Sequence, residues 1–255
     1  MLASVPEHIL VAAVGLFGGV LLGLAARLGR FCTLGAIEDV LYGGSDTRLR
    51  MWGIAIGTAI IGSFGLMAAD VIDGATTYYL SINWLPWASV VGGLMFGYGM
   101  ALAGNCGFGA VARLGGGDLR SFVIVLVMGV STYVVLSGPL APLRDMLFPQ
   151  SPVLPGDVPP GIAHATAALT GLSTNTIGLI IGLGILAFSA ASRAFVDAPH
   201  SAIWAAVVGL AIVTGWAGTS WVANTGFEAL PVVSHSFAAP LGESIMRWMI
   251  GYAQP

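Results

Sequence analysis

The sequence predicts an all-α fold: a polytopic helical membrane protein with internal repeats, in which glycine-rich re-entrant segments carry both cysteines. Three observations predict it. Only 8% of the 255 residues are charged while 56% are apolar, and the mean hydropathy is +0.90. A soluble domain averages about 25% charged residues and could not cover so much apolar surface with so few of them. Lipid admits such a chain as helices that satisfy their own backbone groups. Second, the apolar residues are gathered into seven runs. Third, there are 37 glycines, about twice the usual ~7%, as suits close helix packing and backbone that turns inside a membrane protein.

The runs fall at 9–28, 51–69, 87–103, 122–138, 177–191, 201–216 and 240–252. A full crossing needs about 20 residues, with a range of roughly 17–25. The first two meet that length alone, most of the others with flanking small polar residues, and the last is short. The N-terminal MLASVPEH has no positive charge ahead of its apolar run, so this run reads as a retained helix rather than a secretory signal. The connection at 139–175 holds seven of the 13 prolines. It reads as an external loop with one short helix near 162–169.

Arginine placement orients the spans. Arg27, Arg30, Arg48, Arg50, Arg113, Arg120 and Arg193 fall on one side if each run crosses once, whereas Arg144 falls on the other with Glu7, Asp70, Asp73, Asp145, Asp157 and Glu228. The arginine side is cytoplasmic by the positive-inside rule, which leaves the N-terminus outside. The whole chain, 1–255, reads as a single membrane domain. Its repeat units are about 9–70 and 87–138, followed by a more diverged second half at 175–255.

The repeat shows at an offset of 74. GGVLLGLAARLGRFCTLGAIED starts at Gly18 and GGLMFGYGMALAGNCGFGAVAR at Gly92. Gly18, Gly19, Gly23, Leu28, Cys32, Gly35 and Ala36 recur as Gly92, Gly93, Gly97, Leu102, Cys106, Gly109 and Ala110. Repeats are a mark of transporter folds, with the substrate site where the repeats meet. GNCGFGAVARLGGG is too rich in glycine to be helical throughout. Irregular backbone at membrane depth must be buried in protein or line a cavity, so both cysteines are expected on re-entrant segments. Short helices from about Leu34 and Phe108 would then aim their N-termini at one place, which suits an anion.

Candidate pathway residues follow. Cys32 and Cys106 offer soft S–H groups without a fixed charge; the bland reading of either is a small buried apolar residue. Gly107 directly follows Cys106. Asn105 can donate from its amide to an oxyanion or form a local turn. Arg30 and Arg113 either face a cavity or reach the cytoplasmic surface as topology markers. Glu38 and Asp39 pair with Arg30 or Arg113, or cap the cytoplasmic end. The four histidines lack ligand spacing, and no nucleotide loop or nucleophile cluster is present, so neither a metal, a cofactor nor an enzyme is expected. No basic run invites nucleic acid.

GRFCTLGAIEDVLYGG and GNCGFGAVARLGGGDLR resemble the two N-terminal cysteine motifs of the YeeE/YedE family of bacterial inner-membrane sulfur transporters. The resemblance covers at least 18–120 and continues more loosely through SFAAPLGESI. It implies an hourglass-shaped helical membrane protein and uptake of thiosulfate, or a related sulfur-containing anion, by S–H···S contacts along cysteines that match Cys32 and Cys106. It also implies a TusA-like sulfur carrier as a partner. A further motif of the type GCxxGQG, which longer members carry near the C-terminus, does not occur up to Pro255. The alternatives are a membrane sulfurtransferase that carries a persulfide on a cysteine, and a partner-binding membrane scaffold.

Overall fold

A computed structural model of the chain describes residues 6–74, 77–154, 158–192, 195, 197–227 and 230–251. Asp157, Arg193 and Glu228, used above to orient the spans, lie outside the described residues, as does Tyr252. The described residues form eleven α-helices. In chain order these are α1 Glu7–Arg27, α2 Thr33–Leu41, α3 Thr47–Ala68, α4 Pro86–Ala103, α5 Gly107–Gly115 and α6 Leu119–Leu136. They continue with α7 Ala141–Leu147, α8 Ile162–Thr170, α9 Thr174–Ala190, α10 Pro199–Thr225 and α11 Ala238–Gly251. Five stretches are long and apolar enough to cross a membrane: α1, α3, Pro86–Gly115, α6 and α10. The pair α8 and α9, bent by 120°, makes a sixth if counted as one span.

The chain forms two compact units. The first comprises Met1–Phe31, Gly35–Asn83 and Pro152–His235. Within it α3 packs on α9 and α10, and α10 packs on α1. Glycine makes the crossings tight. A Cβ built on Gly57 would come within 3.0 Å of the Gly182 carbonyl oxygen, and one on Gly209 within 2.6 Å of the Ala55 carbonyl oxygen, so the helix backbones touch where small residues face each other. Arg50 fastens one end of this unit. It donates to Asp46 at 2.6 Å and to the carbonyls of Phe188 and Ser189 at 3.0 and 3.3 Å. A cation on the last carbonyls of α9 complements the negative end of that helix. The start of α3 and the end of α9 therefore share one end of the unit.

At mid-helix depth the segment after α10 returns along α1 and α10. The Val233 N–H donates to Thr219 Oγ1, Ser234 Oγ donates to the Ile212 carbonyl, and the His235 imidazole fills space that a Cβ on Gly18 or Gly215 would occupy. Hydroxyls close to an unwound strand take over the hydrogen bonds that helix would otherwise supply. The same economy explains why α10 runs nine residues past the apolar run that ends at Trp216. Thr219 and Thr225 return their hydroxyls to carbonyls of their own helix, and Ser220 donates to Val71 O.

The second unit comprises Cys32–Leu34, Trp84–Ser151 and Ser236–Pro255. Here α6 packs on α5 and on α11. Gly129 faces Leu241 and Ile245, and Gly242 faces Thr132 and Tyr133. The loop expected at 139–175 holds the short helix α8, and also α7, which was not expected. APLRDML starts with a proline in its first turn and carries Arg144 in its last, both of which favour a short helix.

Candidate functional site

Two breaks in the helices build the site. Each follows a membrane helix and ends in a cysteine. After α1, Arg30 takes a left-handed backbone conformation with φ 51°, and Phe31 N–H bonds back to the Ala25 carbonyl. After α4, Gly104 caps the helix with φ 65°, and Asn105 N–H bonds back to Met100. One left-handed residue ends a helix economically because it turns the chain away from the axis. The nine-residue helices α2 and α5 then start directly after Cys32 and Cys106.

Cys106 is the N-cap of α5. It has extended backbone, and its sulfur accepts from Gly109 N–H at 3.3 Å. That is the position where a side-chain acceptor meets an otherwise unpaired amide. The same sulfur is hydrogen-bonded to the Cys32 thiol and to the N–H and hydroxyl of Thr33, the first residue of α2. The first turns of two helices therefore converge on one sulfur, which is only 2% exposed. Both cysteines are free thiols. The positive ends of two helix dipoles and a cluster of short donors favour negative charge here without any charged side chain.

Asn105 lies beside this cluster, 4% exposed, and among the described residues neither its amide oxygen nor its amide nitrogen has a hydrogen-bond partner. A Cβ on Gly109 would overlap that amide oxygen, so glycine there makes room for the side chain. A buried amide without partners is costly, and its oxygen and the Cys106 sulfur both border the space that a Cβ on Gly109 would take. Gly107, the first residue of α5, faces Met128 of α6, whose sulfur a Cβ would approach to 3.0 Å. Phe108 packs on Phe237 at 5.2 Å between ring centres, which brings the SFAAPLGESI stretch to the same unit.

The structure thus gathers Cys32, Cys106, Asn105 and Gly107. It does not bring Arg113 to them. Arg113 is exposed in the last turn of α5, seven residues and roughly 10 Å along the helix from Cys106, and it acts on Asp118 instead. Arg30 lines a cavity with Asp39, Arg48 and His200. Of the two carboxylates considered for Arg30 or Arg113, Asp39 pairs elsewhere: it forms an ion pair with Arg48, 3.2 Å from Oδ2 to Nε, because one more turn of chain brings the start of α3 back beside α2. Sequence reasoning missed Thr33 and Gly109 as donors. Gly109 carried a signal, three residues after Cys106, where an N-cap side chain meets an amide; Thr33 carried none, because it donates to the sulfur of the other cysteine. Among the described residues no three His, Cys, Asp or Glu side chains come together as a metal site.

The model of a family described as Sulphur transport matches residues 28–254. The chain belongs to that family, the YeeE/YedE family. It is a family of transporters rather than enzymes, and its multi-pass membrane character agrees with the five or six apolar spans. Among curated relatives, the thiosulfate transporter TsuA of Escherichia coli is 35% identical over 124 residues, 48% of this chain and 32% of that protein. The protein of the same name from Spirochaeta thermophila is 29% identical over 124 residues, 49% of this chain and 36% of that protein. The matched stretch therefore spans about a third of each relative's length.

Proposed function

We propose that the chain takes up thiosulfate across the bacterial inner membrane, from the outside to the arginine-bearing side, along a path that includes Cys32 and Cys106. The observation that carries this reading is the convergence of the α2 and α5 first turns on the Cys106 sulfur, with the Cys32 thiol bonded to it. An anion that sheds water at this point is offered backbone N–H groups, the Thr33 hydroxyl and the Asn105 amide in exchange. Its terminal sulfur takes the S–H of one cysteine and then of the other, and no covalent bond changes. The names of the relatives supply the substrate class, and the two repeat units supply the paired cysteines. On the arginine-bearing side, a small TusA-like carrier is the partner that the family resemblance implies.

Uptake of ³⁵S-labelled thiosulfate into proteoliposomes tests the reading. Cys106→Ser should slow uptake roughly tenfold or more, since a lost contact of about 1–3 kcal/mol separates the harder hydroxyl from the thiol. Cys32→Ser should behave alike. Near-normal uptake by the double alanine variant would leave both cysteines as packing residues. A persulfide on Cys106 after exposure to thiosulfate, with no intact anion delivered, would establish sulfur transfer in place of transport.

A further inference from the structure

The first unit holds a cavity of about 480 Å³ lined by Arg30, Asp39, Thr47, Arg48, His200 and Ser201 among others. Its walls come from four places in the chain: the turn after α1, Asp39 of α2, the first residues of α3 and the first turn of α10. Three basic side chains and two hydroxyls face one acidic group. Asp39 approaches Arg48 most closely at Nε, 3.2 Å, and among the described residues the terminal nitrogens of that guanidinium donate no hydrogen bond. Arg30 has no acceptor among the described residues either. His200 Nε2 accepts from Trp204 Nε1–H at 3.0 Å, which leaves Nδ1 as the ring nitrogen that carries hydrogen. The positive dipole ends of the 22-residue α3 and the 27-residue α10 add to this field.

Arg30 is the second observation. It keeps a left-handed backbone, φ 51°, at the slot where the equivalent turn after α4 has Gly104. Strain kept at a non-glycine residue points to a use for its side chain. Trp204 fixes that turn from the other side, because a Cβ on Gly29 would run into its side chain. The cavity is many times the volume of a water molecule, about 30 Å³, so a tetrahedral anion enters with part of its hydration.

We propose that this cavity is a binding site for a tetrahedral oxyanion, held by the Arg30 and Arg48 guanidinium groups, the His200 N–H and the hydroxyls of Thr47 and Ser201. Guanidinium forks and hydroxyls suit sulfate, thiosulfate and phosphate geometry alike. The ion is either free in solution or the phosphate of a lipid headgroup. Asp39 sets the strength of the site by holding one face of Arg48. The proposal goes beyond the reading of the thiol pair and uses none of its residues except Arg30.

The test is binding, not uptake, so it stands or falls apart from transport. Trp204 touches His200 and reports occupancy by fluorescence, with Trp204→Phe as the blank. Purified protein in neutral detergent is titrated with sulfate, and in a second arm with micelles that contain phosphatidylglycerol or phosphatidylcholine. Saturable quenching by sulfate is expected, at least tenfold weaker in Arg48→Gln and in Arg30→Gln. Asp39→Asn, which frees Arg48, should bind several-fold tighter, an outcome a merely structural ion pair would not give. Quenching by phosphatidylglycerol that sulfate fails to displace assigns the site to lipid phosphate; displacement assigns it to the free ion. If Arg48→Gln does not fold, Arg30→Gln and Asp39→Asn decide. Affinities unchanged in these variants, or no response to any anion, overturn the proposal.

Discussion

Arg30 and Gly104 stand 74 residues apart and do the same thing: each takes a left-handed backbone conformation two residues before a cysteine, with φ 51° and 65°. Glycine adopts this conformation freely, whereas an L side chain costs about 1–2 kcal/mol. Arg30→Gly should therefore leave the thermal unfolding midpoint in detergent unchanged or raise it, while it removes a cation from the cavity. Gly104→Ala should lower the midpoint, at a cost of about 1–2 kcal/mol. A loss of stability in Arg30→Gly would mean that the arginine contributes to folding in a way its backbone does not show.

Asn105 yields an opposite pairing of stability and function. Replacing a hydrogen-bonded buried amide by an apolar group destabilises a protein, but both polar side-chain atoms of Asn105 lack partners among the described residues. Asn105→Leu should therefore be neutral or stabilising, since a buried unpaired amide costs about 1–3 kcal/mol. Thiosulfate uptake should nevertheless fall. Asn105→Asp should fail on both counts, because it buries an acceptor-only charge in the path of an anion. Normal uptake by Asn105→Leu would remove the amide from the pathway.

Much of the fold was legible because membrane helices announce themselves by length and hydropathy. The runs at 9–28, 51–69, 87–103 and 122–138 differ from α1, α3, α4 and α6 by at most four residues at either end. The extension of α10 to Thr225 was not legible, since its hydroxyls look like loop residues until their carbonyl partners are known. The same holds within the site. The offset of 74 set Cys32 beside Cys106 as equivalent slots, but only folding reveals that Thr33 donates to the second sulfur. Arg48 and His200, 152 positions apart, share a cavity with Arg30. No periodicity within one segment encodes that meeting, because it depends on how α3 and α10 pack.

Asp118 gives the stability a defined pH dependence. It is the N-cap of α6 and accepts from the Ser121 hydroxyl at 2.8 Å and from Arg120 N–H at 3.0 Å. The Ser121 bond foremost, then the Arg120 and Ser121 amides and the charge of Arg113, hold its carboxyl below the ordinary value of 3.8. A lowered native value means that the contribution is complete above the unfolded value and is lost as the pH falls through the native one. Wild-type protein should therefore be more stable than Asp118→Asn at pH 6, and the gap should shrink as the pH drops below about 4. A gap that does not change with pH would show that the cap works without its charge.

The orientation can be tested on the two ends of α9. Arg50 at the start of α3 holds the carbonyls of Phe188 and Ser189 at the last turn of α9, whereas Leu172 precedes the first turn. Seventeen helical residues separate those ends, about 25 Å at 1.5 Å per residue, which is close to the thickness of the hydrocarbon core. Ser45 lies in the exposed turn before α3, on the Arg50 side, and Leu172 is 52% exposed on the other. In a Cys32→Ala/Cys106→Ala background, Ser45→Cys should react with an impermeant maleimide only after the membrane is opened, and Leu172→Cys in intact cells. This follows because arginines on the trailing side of a span resist translocation, and Arg48 and Arg50 lie within five residues of Ser45. The reverse pattern would invert the chain and place the cavity of Arg30, Arg48 and His200 outside.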